Sequence, residues 1–187
     1  MLLLHYEADL IISLVSEFLE HNNAYGITIT SIVEDKPLGT GGSIMNAVDT
    51  LNISESFLVV NGDTWLGDGL KELSMTSPNT IAAVKVKDCS RYGALVVKNA
   101  KIEKFLEKSE LHNDMLINAG AYHLSPNIFK DISGSVTFSL ENDVFSKVVE
   151  NGILSAIKID TYFIDIGVPE DYFKFCNWIK SGKKIEL

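Results

Sequence analysis

Apolar residues recur at three- and four-residue intervals over residues 6–22. Ala8, Ile11, Ile12, Val15, Phe18 and Leu19 keep that rhythm, so the spacing predicts a helix. The pattern then switches to alternation. Between Gly26 and Val33, Ile27 and Ile29 alternate with Thr28 and Thr30, a strand signature rich in β-branched residues. Pro37 and the glycines 39, 41 and 42 break the chain, after which Ile44, Ala47, Val48 and Leu51 restore a helical face. Phe57-Leu58-Val59-Val60 is a continuous apolar run, as expected of a parallel strand buried on both sides, and it stops at Asn61-Gly62-Asp63. A short helix near 68–74 and a buried strand near 80–86 complete a β-α-β-α-β rhythm, which predicts an α/β sheet with crossover helices.

The second half has a different cadence. Short strands are predicted near 93–98, 101–107 and 116–124, and Ser125-Pro126 opens a short helix as cap and first helical residue. Ser139 caps a helix carrying Leu140, Val144, Phe145, Val148 and Val149, which Gly152 ends. Strands near 153–159 and 161–165 lead into a last helix over 169–180. It starts at Pro169, with Glu170 and Asp171 in the first turn, where the helix dipole favours anions. No repeat or low-complexity linker interrupts the 187 residues. The expectation is one α/β domain: a Rossmann-like, mixed, mostly parallel sheet flanked by helices, whose second half supplies mixed strands.

Composition narrows the classes of function. At 46% hydrophobic and 22% charged residues the chain has the makings of a real core. Sixteen Lys and Arg against twenty-five Asp and Glu give a formal charge of −9, which argues against a nucleic-acid partner, since such binding rests on many basic contacts. A phosphorylated small molecule stays open, because a bound divalent cation reverses the local sign. Cys89 and Cys176 are too few for a disulfide framework or a thiolate zinc site, so two reduced thiols in a cytoplasmic protein are expected. Met1-Leu2-Leu3-Leu4 has no basic stretch before it and is interrupted by His5, Glu7 and Asp9, unlike a secretory signal. No apolar run approaches the roughly 20 residues that span a bilayer, so no membrane partner is expected either.

Three segments are candidates for chemistry. Glu34 to Ser43 lies between a strand and a helix, where glycines let a ligand approach the backbone and the helix start offers N–H groups. A tight turn needing positive φ explains the same glycines equally well. Asp63 follows a strand, where ligands of open α/β sheets collect, and a carboxylate there can hold Mg²⁺ beside substrate phosphates; a plain turn cap is the alternative. Asp165, before the helix at Pro169, could meet Asp63 if both strands end at one cleft; taken alone it reads as a loop acid supporting the helix start. Lys108 could grip a phosphate, though a lone lysine at a strand end is more often a solvated charge. His5, His21, His112 and His123 have no metal-ligand spacing. A dinucleotide-binding reading of Gly39-x-Gly41 fails at Ile44, where the third glycine of that fingerprint belongs.

Taken together, five segments resemble the sugar-1-phosphate nucleotidyltransferases. They are Pro37-Leu38-Gly39-Thr40-Gly41-Gly42, Val60-Asn61-Gly62-Asp63, Asn118-Ala119-Gly120-Ala121-Tyr122, Phe138-Ser139-Leu140-Glu141 with Asp143-Val144-Phe145, and Asp165-Ile166-Gly167-Val168-Pro169-Glu170-Asp171-Tyr172. The likeness covers about residues 4 to 178, in the family's order, and the stretch from Tyr162 to Tyr172 together with the Arg91-Tyr92-Gly93 turn is most similar to the heptose 1-phosphate guanylyltransferase branch. The resemblance implies transfer of a nucleotidyl group from a nucleoside triphosphate, GTP favoured, to a sugar 1-phosphate, heptose 1-phosphate favoured, with release of pyrophosphate. Residues 1–88 would be the remainder of a nucleotide-binding half and residues 89–187 a sugar-phosphate-binding half. Leu38, Gly39, Thr40, Gly41, Asn61 and Gly62 would bind the nucleotide. Asp63 and Asp165 would hold Mg²⁺, with Lys108 a third catalytic residue; Gly93, Glu107, Lys108 and Asn118 would line the sugar-phosphate pocket.

Two features depart from the family. Its first strand and G-x-G-T-R-L loop have no counterpart here, and Arg91 is the only arginine, so weak or absent turnover is expected of the chain as it stands, unless that segment is supplied by another chain or belongs to the protein outside this sequence. The competing class is a non-catalytic nucleotide-sugar-binding or assembly protein. Val168 stands where the family usually has Thr, and a valine cannot cap the helix that begins at Pro169, a loss of about 1 kcal/mol. A homo-oligomer remains open.

Overall fold

A computed structural model of the chain describes residues 1–21, 26–89, 91–106, 114–132 and 137–182. They form two units between which the chain passes back and forth: residues 1–54 with 129–144, and residues 55–128 with 145–187.

The first unit is built on two short parallel strands, β1 (Leu2–Leu4) and β2 (Ser31–Val33), paired Leu2 to Ser31 and Leu4 to Val33. The helix between them, α1 (Ala8–His21), follows the predicted bounds closely and buries Ala8, while Leu10, Leu14 and Phe18 are exposed. The second helix, α2 (Gly39–Thr50), begins within the glycine segment and buries Gly41, Gly42, Ile44 and Ala47. Residues 39 to 42 are therefore its first turn, and not a loop ahead of it. Gly39 and Gly41 are glycine because another chain segment lies on them. A methyl on Gly41 would come within 2.5 Å of the Phe138 ring, and one on Gly39, whose φ is +72°, within 2.6 Å of the Phe138 carbonyl oxygen.

The second unit holds most of the strands: β3 (Phe57–Val60), β4 (Thr64–Leu66), β5 (Thr80–Val86), β6 (Ala94–Lys98), β7 (Lys101–Leu106), β8 (Met115–Leu124), β9 (Ser155–Lys158) and β10 (Phe163–Asp165). Six of them make one sheet in the order β3-β8-β5-β9-β7-β6, and β6 also pairs with β8, so the ladders close into a circuit. The remaining two, β4 and β10, form an antiparallel ribbon of their own. Helices α3 (Leu70–Ser74), α4 (Ser146–Glu150) and α5 (Pro169–Lys180) accompany them. The core lies on β5 and β8, where Ile81 to Val84 and Ile117 to Leu124 are buried apart from Asn118. Leu66, Leu73, Cys89 and Ile159 pack against Ala82, Val84, Ile117, Ala119 and Ala121.

The mixed α/β architecture is as expected, but the sense of the ladders is not. Among the described strands only β1–β2 and β5–β9 run parallel, and the other pairings are antiparallel. The apolar run Phe57–Val60 is an edge strand antiparallel to β8, with Leu58 and Val60 exposed. Four apolar residues satisfy a doubly buried strand and a half-buried edge alike; the number of neighbours decides, and among the described strands β3 has one. At α5 the expectation holds: Val168 has the extended backbone of a cap (φ −123°, ψ 147°) and supplies no capping hydrogen bond.

Candidate functional site

In the second unit Asp63 and Asp165 are brought together by the ribbon of β4 and β10. Asp165 pairs with Thr64, the residue after Asp63, and the Ile166 N–H donates to the Asp63 carbonyl at 2.8 Å. The two acids, 102 positions apart by their numbering, are diagonal neighbours across one short ladder. Gly167 lies against both. A methyl group there would sit 3.0 Å from Asp165 Oδ1 and 3.3 Å from Asp63 Oδ2, so those oxygens are no farther apart than the two distances together. The Gly167 N–H donates to Asp165 Oδ1 at 2.8 Å, which aims that carboxylate and leaves its other oxygen outside this bond.

The donor set suits a hard divalent cation. Two carboxylates supply oxygen ligands, the glycine keeps the space beside them open, and Mg²⁺ prefers one or two carboxylates with its other positions left to water and phosphate oxygens. Among the described residues no group of three or more His, Cys, Asp or Glu converges, so the protein offers a pair and not a closed cage.

Behind the pair, β8 is deformed. Its register against β5 shifts between Ile81, opposite Tyr122, and Ala83, opposite Asn118, leaving Ala119 to Ala121 bulged. Gly120 makes the bulge, with φ of +66° and no room for a side chain between Thr64 Oγ1 at 2.8 Å and Asn61 Nδ2 at 2.9 Å. The Asn61 N–H donates to the Gly120 carbonyl at 2.8 Å, which ties the Asn61-Gly62-Asp63 turn to the bulge. Asn118 is fixed through its own amide: Oδ1 accepts from the Gly120 N–H at 3.0 Å and Nδ2 donates to the Tyr122 hydroxyl at 3.1 Å. Its backbone N–H donates to the Gly93 carbonyl at 3.0 Å. The Asn118-to-Tyr122 and Val60-to-Asp63 motifs thus fold as one knot. Gly62 and Gly93 differ from Gly120, since a methyl on either meets nothing within 4 Å.

Arg91 belongs to this neighbourhood, and residue-level reading gave it no role. It donates to Asp171 Oδ2, while Lys174 Nζ donates to Oδ1 of the same carboxylate at 2.7 Å. Asp171 is not only a dipole-favoured acid of the first turn; its side chain is 9% exposed and carries two ion pairs. The bonds from Lys174 and Arg91 hold its carboxyl below the usual range, and both cations are pushed up in return. Burial pushes the Tyr92 hydroxyl up, with Asp165 and Asp171 adding to the shift and Arg91 opposing it. Single charges scattered along a chain carry no periodic signal, and the i, i+3 spacing of Asp171 and Lys174 was the one hint available.

In the first unit, residues 38–42 are held by the segment after 137. The Phe138 N–H donates to the Leu38 carbonyl at 3.0 Å, and the Phe138 carbonyl accepts from Gly41 N–H at 3.1 Å and Gly42 N–H at 3.3 Å. Thr40 Oγ1 donates to Glu141 Oε2 at 3.1 Å and accepts from the Leu140 N–H at 2.9 Å. Buried Glu34 accepts from the Leu38 N–H at 3.0 Å. Two of the helix-start amides expected to face a ligand are thus occupied by Phe138. The predicted cap at Ser139 is present, its Oγ accepting from the Asn142 N–H at 3.2 Å ahead of a π-helical turn, Leu140–Phe145. Glu107 and Lys108 lie outside the described residues.

The comparisons with known proteins bear on the whole chain. The family model described as Nucleotidyl transferase matches residues 11–181. The D-glycero-alpha-D-manno-heptose 1-phosphate guanylyltransferase of Aneurinibacillus thermoaerophilus is 34% identical over 158 residues, 82% of this chain and 68% of the relative. The mannose-1-phosphate guanylyltransferase catalytic subunit beta of Dictyostelium discoideum is 33% identical over 186 residues, 93% of this chain and 51% of the relative. The chain therefore spans about half the length of the latter. Among solved structures, HddC from Yersinia pseudotuberculosis complexed with GMP-PN superposes with a TM-score of 0.76 at 36% identity, over 95% of this chain and 76% of that one. Among the described residues no helix is long and apolar enough to cross a membrane.

Proposed function

The chain belongs to the nucleotidyl transferase family, that of the sugar-1-phosphate nucleotidyltransferases, and from that membership we propose that it serves guanylyl transfer from GTP to a heptose 1-phosphate. A phosphate oxygen of the sugar 1-phosphate attacks the α-phosphorus of the triphosphate. The new P–O bond forms as the bond from that phosphorus to the β-bridging oxygen breaks, and pyrophosphate leaves with the electron pair. Two relatives named as guanylyltransferases and a homologue solved with GMP-PN support guanine as the base. The heptose is preferred to mannose on the Arg91-Tyr92-Gly93 and Tyr162-to-Tyr172 wording of the chain.

The reaction joins two anions, so its demands are neutralisation and alignment more than proton transfer. Asp63 and Asp165 would hold Mg²⁺, which when bound supplies positive charge to the phosphate oxygens. The observation that carries this is Gly167, the residue without a side chain that lies against both carboxylates. Asn61 and Gly62 are assigned to the nucleotide, and Gly93 and Asn118 to the sugar phosphate. The open space over Gly62 and Gly93 supports the assignment, because among the described residues no side chain or backbone packs over either glycine. In the first unit, Leu38, Gly39, Thr40 and Gly41 are assigned to the nucleobase, and Glu107 and Lys108 keep their sugar-phosphate role.

The test is a coupled pyrophosphate-release assay with GTP and Mg²⁺, offered heptose 1-phosphate and mannose 1-phosphate in turn. Weak turnover preferring the heptose, and reduced further by about 10²-fold or more in Asp63→Asn and in Asp165→Asn, is expected. Turnover that survives both substitutions overturns the metal assignment. Tight uptake of GDP-sugar without turnover by the unsubstituted chain would instead favour a binding protein.

A further inference from the structure

The Arg91-Tyr92-Gly93 turn is fastened at two points to the segment that carries Asp165. Tyr92 packs edge-on against Phe163, with ring centroids 5.5 Å apart, two residues before Asp165 in β10. Arg91 reaches Asp171, in the first turn of α5, beyond Asp165 in the chain. A third link runs the other way, from the Gly93 carbonyl to the Asn118 N–H on the bulged part of β8. One turn therefore joins the metal-side segment to the residues assigned to the sugar phosphate.

The ion pair and the packing contact do not have equal reach. Lys174 is bonded to Asp171 within its own helix, so that bond cannot tie one element to another. Arg91 is the partner that bridges elements. It also leaves Asp171 compensated when removed, because Lys174 stays, so its loss frees the turn without stranding a buried charge.

We propose that Arg91 and Asp171 are positioning residues: their ion pair sets Gly93 at a fixed place relative to Asp165, and so governs how tightly a sugar 1-phosphate is held beside the cation. The proposal rests on the metal and sugar-phosphate reading given above. It separates two quantities that a merely structural role would move together. Cation affinity depends on the two carboxylates that the β4–β10 ribbon brings together, whereas sugar-phosphate affinity depends on the turn.

Titration calorimetry of the full chain measures both, first with Mn²⁺ alone and then with D-glycero-α-D-manno-heptose 1-phosphate at saturating Mn²⁺. Arg91→Ala is expected to bind Mn²⁺ within about twofold of the unsubstituted chain and the sugar phosphate about tenfold or more weakly, the scale on which small misplacements act. Asp171→Asn should behave likewise, Arg91→Lys should recover most of the loss, and Lys174→Ala should bind as the unsubstituted chain does. Tryptophan-fluorescence unfolding confirms that each variant is folded; where Arg91→Ala is not, Arg91→Lys and Asp171→Asn carry the comparison. Unchanged sugar-phosphate affinity in the variants, a matching loss in Lys174→Ala, or parallel loss of Mn²⁺ each overturns the proposal. Asp165→Asn separates its failure from that of the underlying reading: if the unsubstituted chain binds no more Mn²⁺ than Asp165→Asn does, the metal site itself is refuted and the positioning role falls with it.

Discussion

At the scale of single residues, Gly167 is where geometry and chemistry are most tightly coupled. Its φ lies outside the left-handed region, so alanine is tolerated by the backbone, but the added methyl would stand 3.0 Å from Asp165 Oδ1 and 3.3 Å from Asp63 Oδ2. Gly167→Ala is therefore expected to leave the urea midpoint unchanged while weakening Mn²⁺ binding by about tenfold, through displaced carboxylates and excluded ligand oxygens. Equal Mn²⁺ affinity in the variant would show that the cation, if bound, does not use the space between the two acids. Asp171 makes a prediction in pH. Lys174 and Arg91 lower its folded pKa, so its contribution to stability is complete above the ordinary carboxylate range and is lost as pH falls through the lowered value. Asp171→Asn should be less stable than the unsubstituted chain at neutral pH, and the difference in urea midpoint should shrink as pH falls below the ordinary carboxylate range. A difference that stays constant as pH falls below that range would mean that shape, and not charge, is what the asparagine fails to supply.

At the scale of elements, the glycines opening α2 are bound up with Phe138 more directly than with any ligand. Gly41→Ala places a methyl 2.5 Å from the Phe138 ring, and should cost about 1–3 kcal/mol by overpacking, read from chemical denaturation. Combining it with Phe138→Leu should recover part of that cost, a non-additivity expected only of groups in contact. This pairing was half legible. The segments 37–42 and 138–145 stand out as words, and Ser139 announces a cap, but nothing in their spacing says that the second lies on the first. The helices were read closely, since α1, α2 and α5 carry long amphipathic periods or a proline start. The strand β4 was missed. Thr64-Trp65-Leu66 is too short to show alternation, and its partner is β10, nearly a hundred residues away. That omitted strand is what joins Asp63 to Asp165, so their meeting could be argued from family likeness and not from hydropathy.

At the scale of the molecule, charge and hydropathy set the terms in a way that the sheet then modifies. The −9 formal charge favours solubility, yet apolar side chains remain on the surface in groups. On α1 these are Leu10, Leu14 and Phe18 at four-residue spacing; on β3 they are Leu58, 41% exposed, and Val60, 45% exposed. The strand is the greater liability, because among the described residues β3 pairs only with β8, and its other side is an edge with free backbone donors and acceptors. Residues 58 and 60 also share one face of that strand, so apolar contact and strand pairing would act together. Concentration-dependent association is therefore expected in sedimentation velocity, and Leu58→Lys with Val60→Lys should reduce it sharply. Because both positions are already exposed, the pair should shift unfolding by no more than about 0.5 kcal/mol each. If the double variant associates as strongly as the unsubstituted chain, the contact lies elsewhere, and the α1 stripe becomes the surface to substitute. If association vanishes together with cooperative unfolding, β3 contributes to the core of its unit more than its exposure suggests.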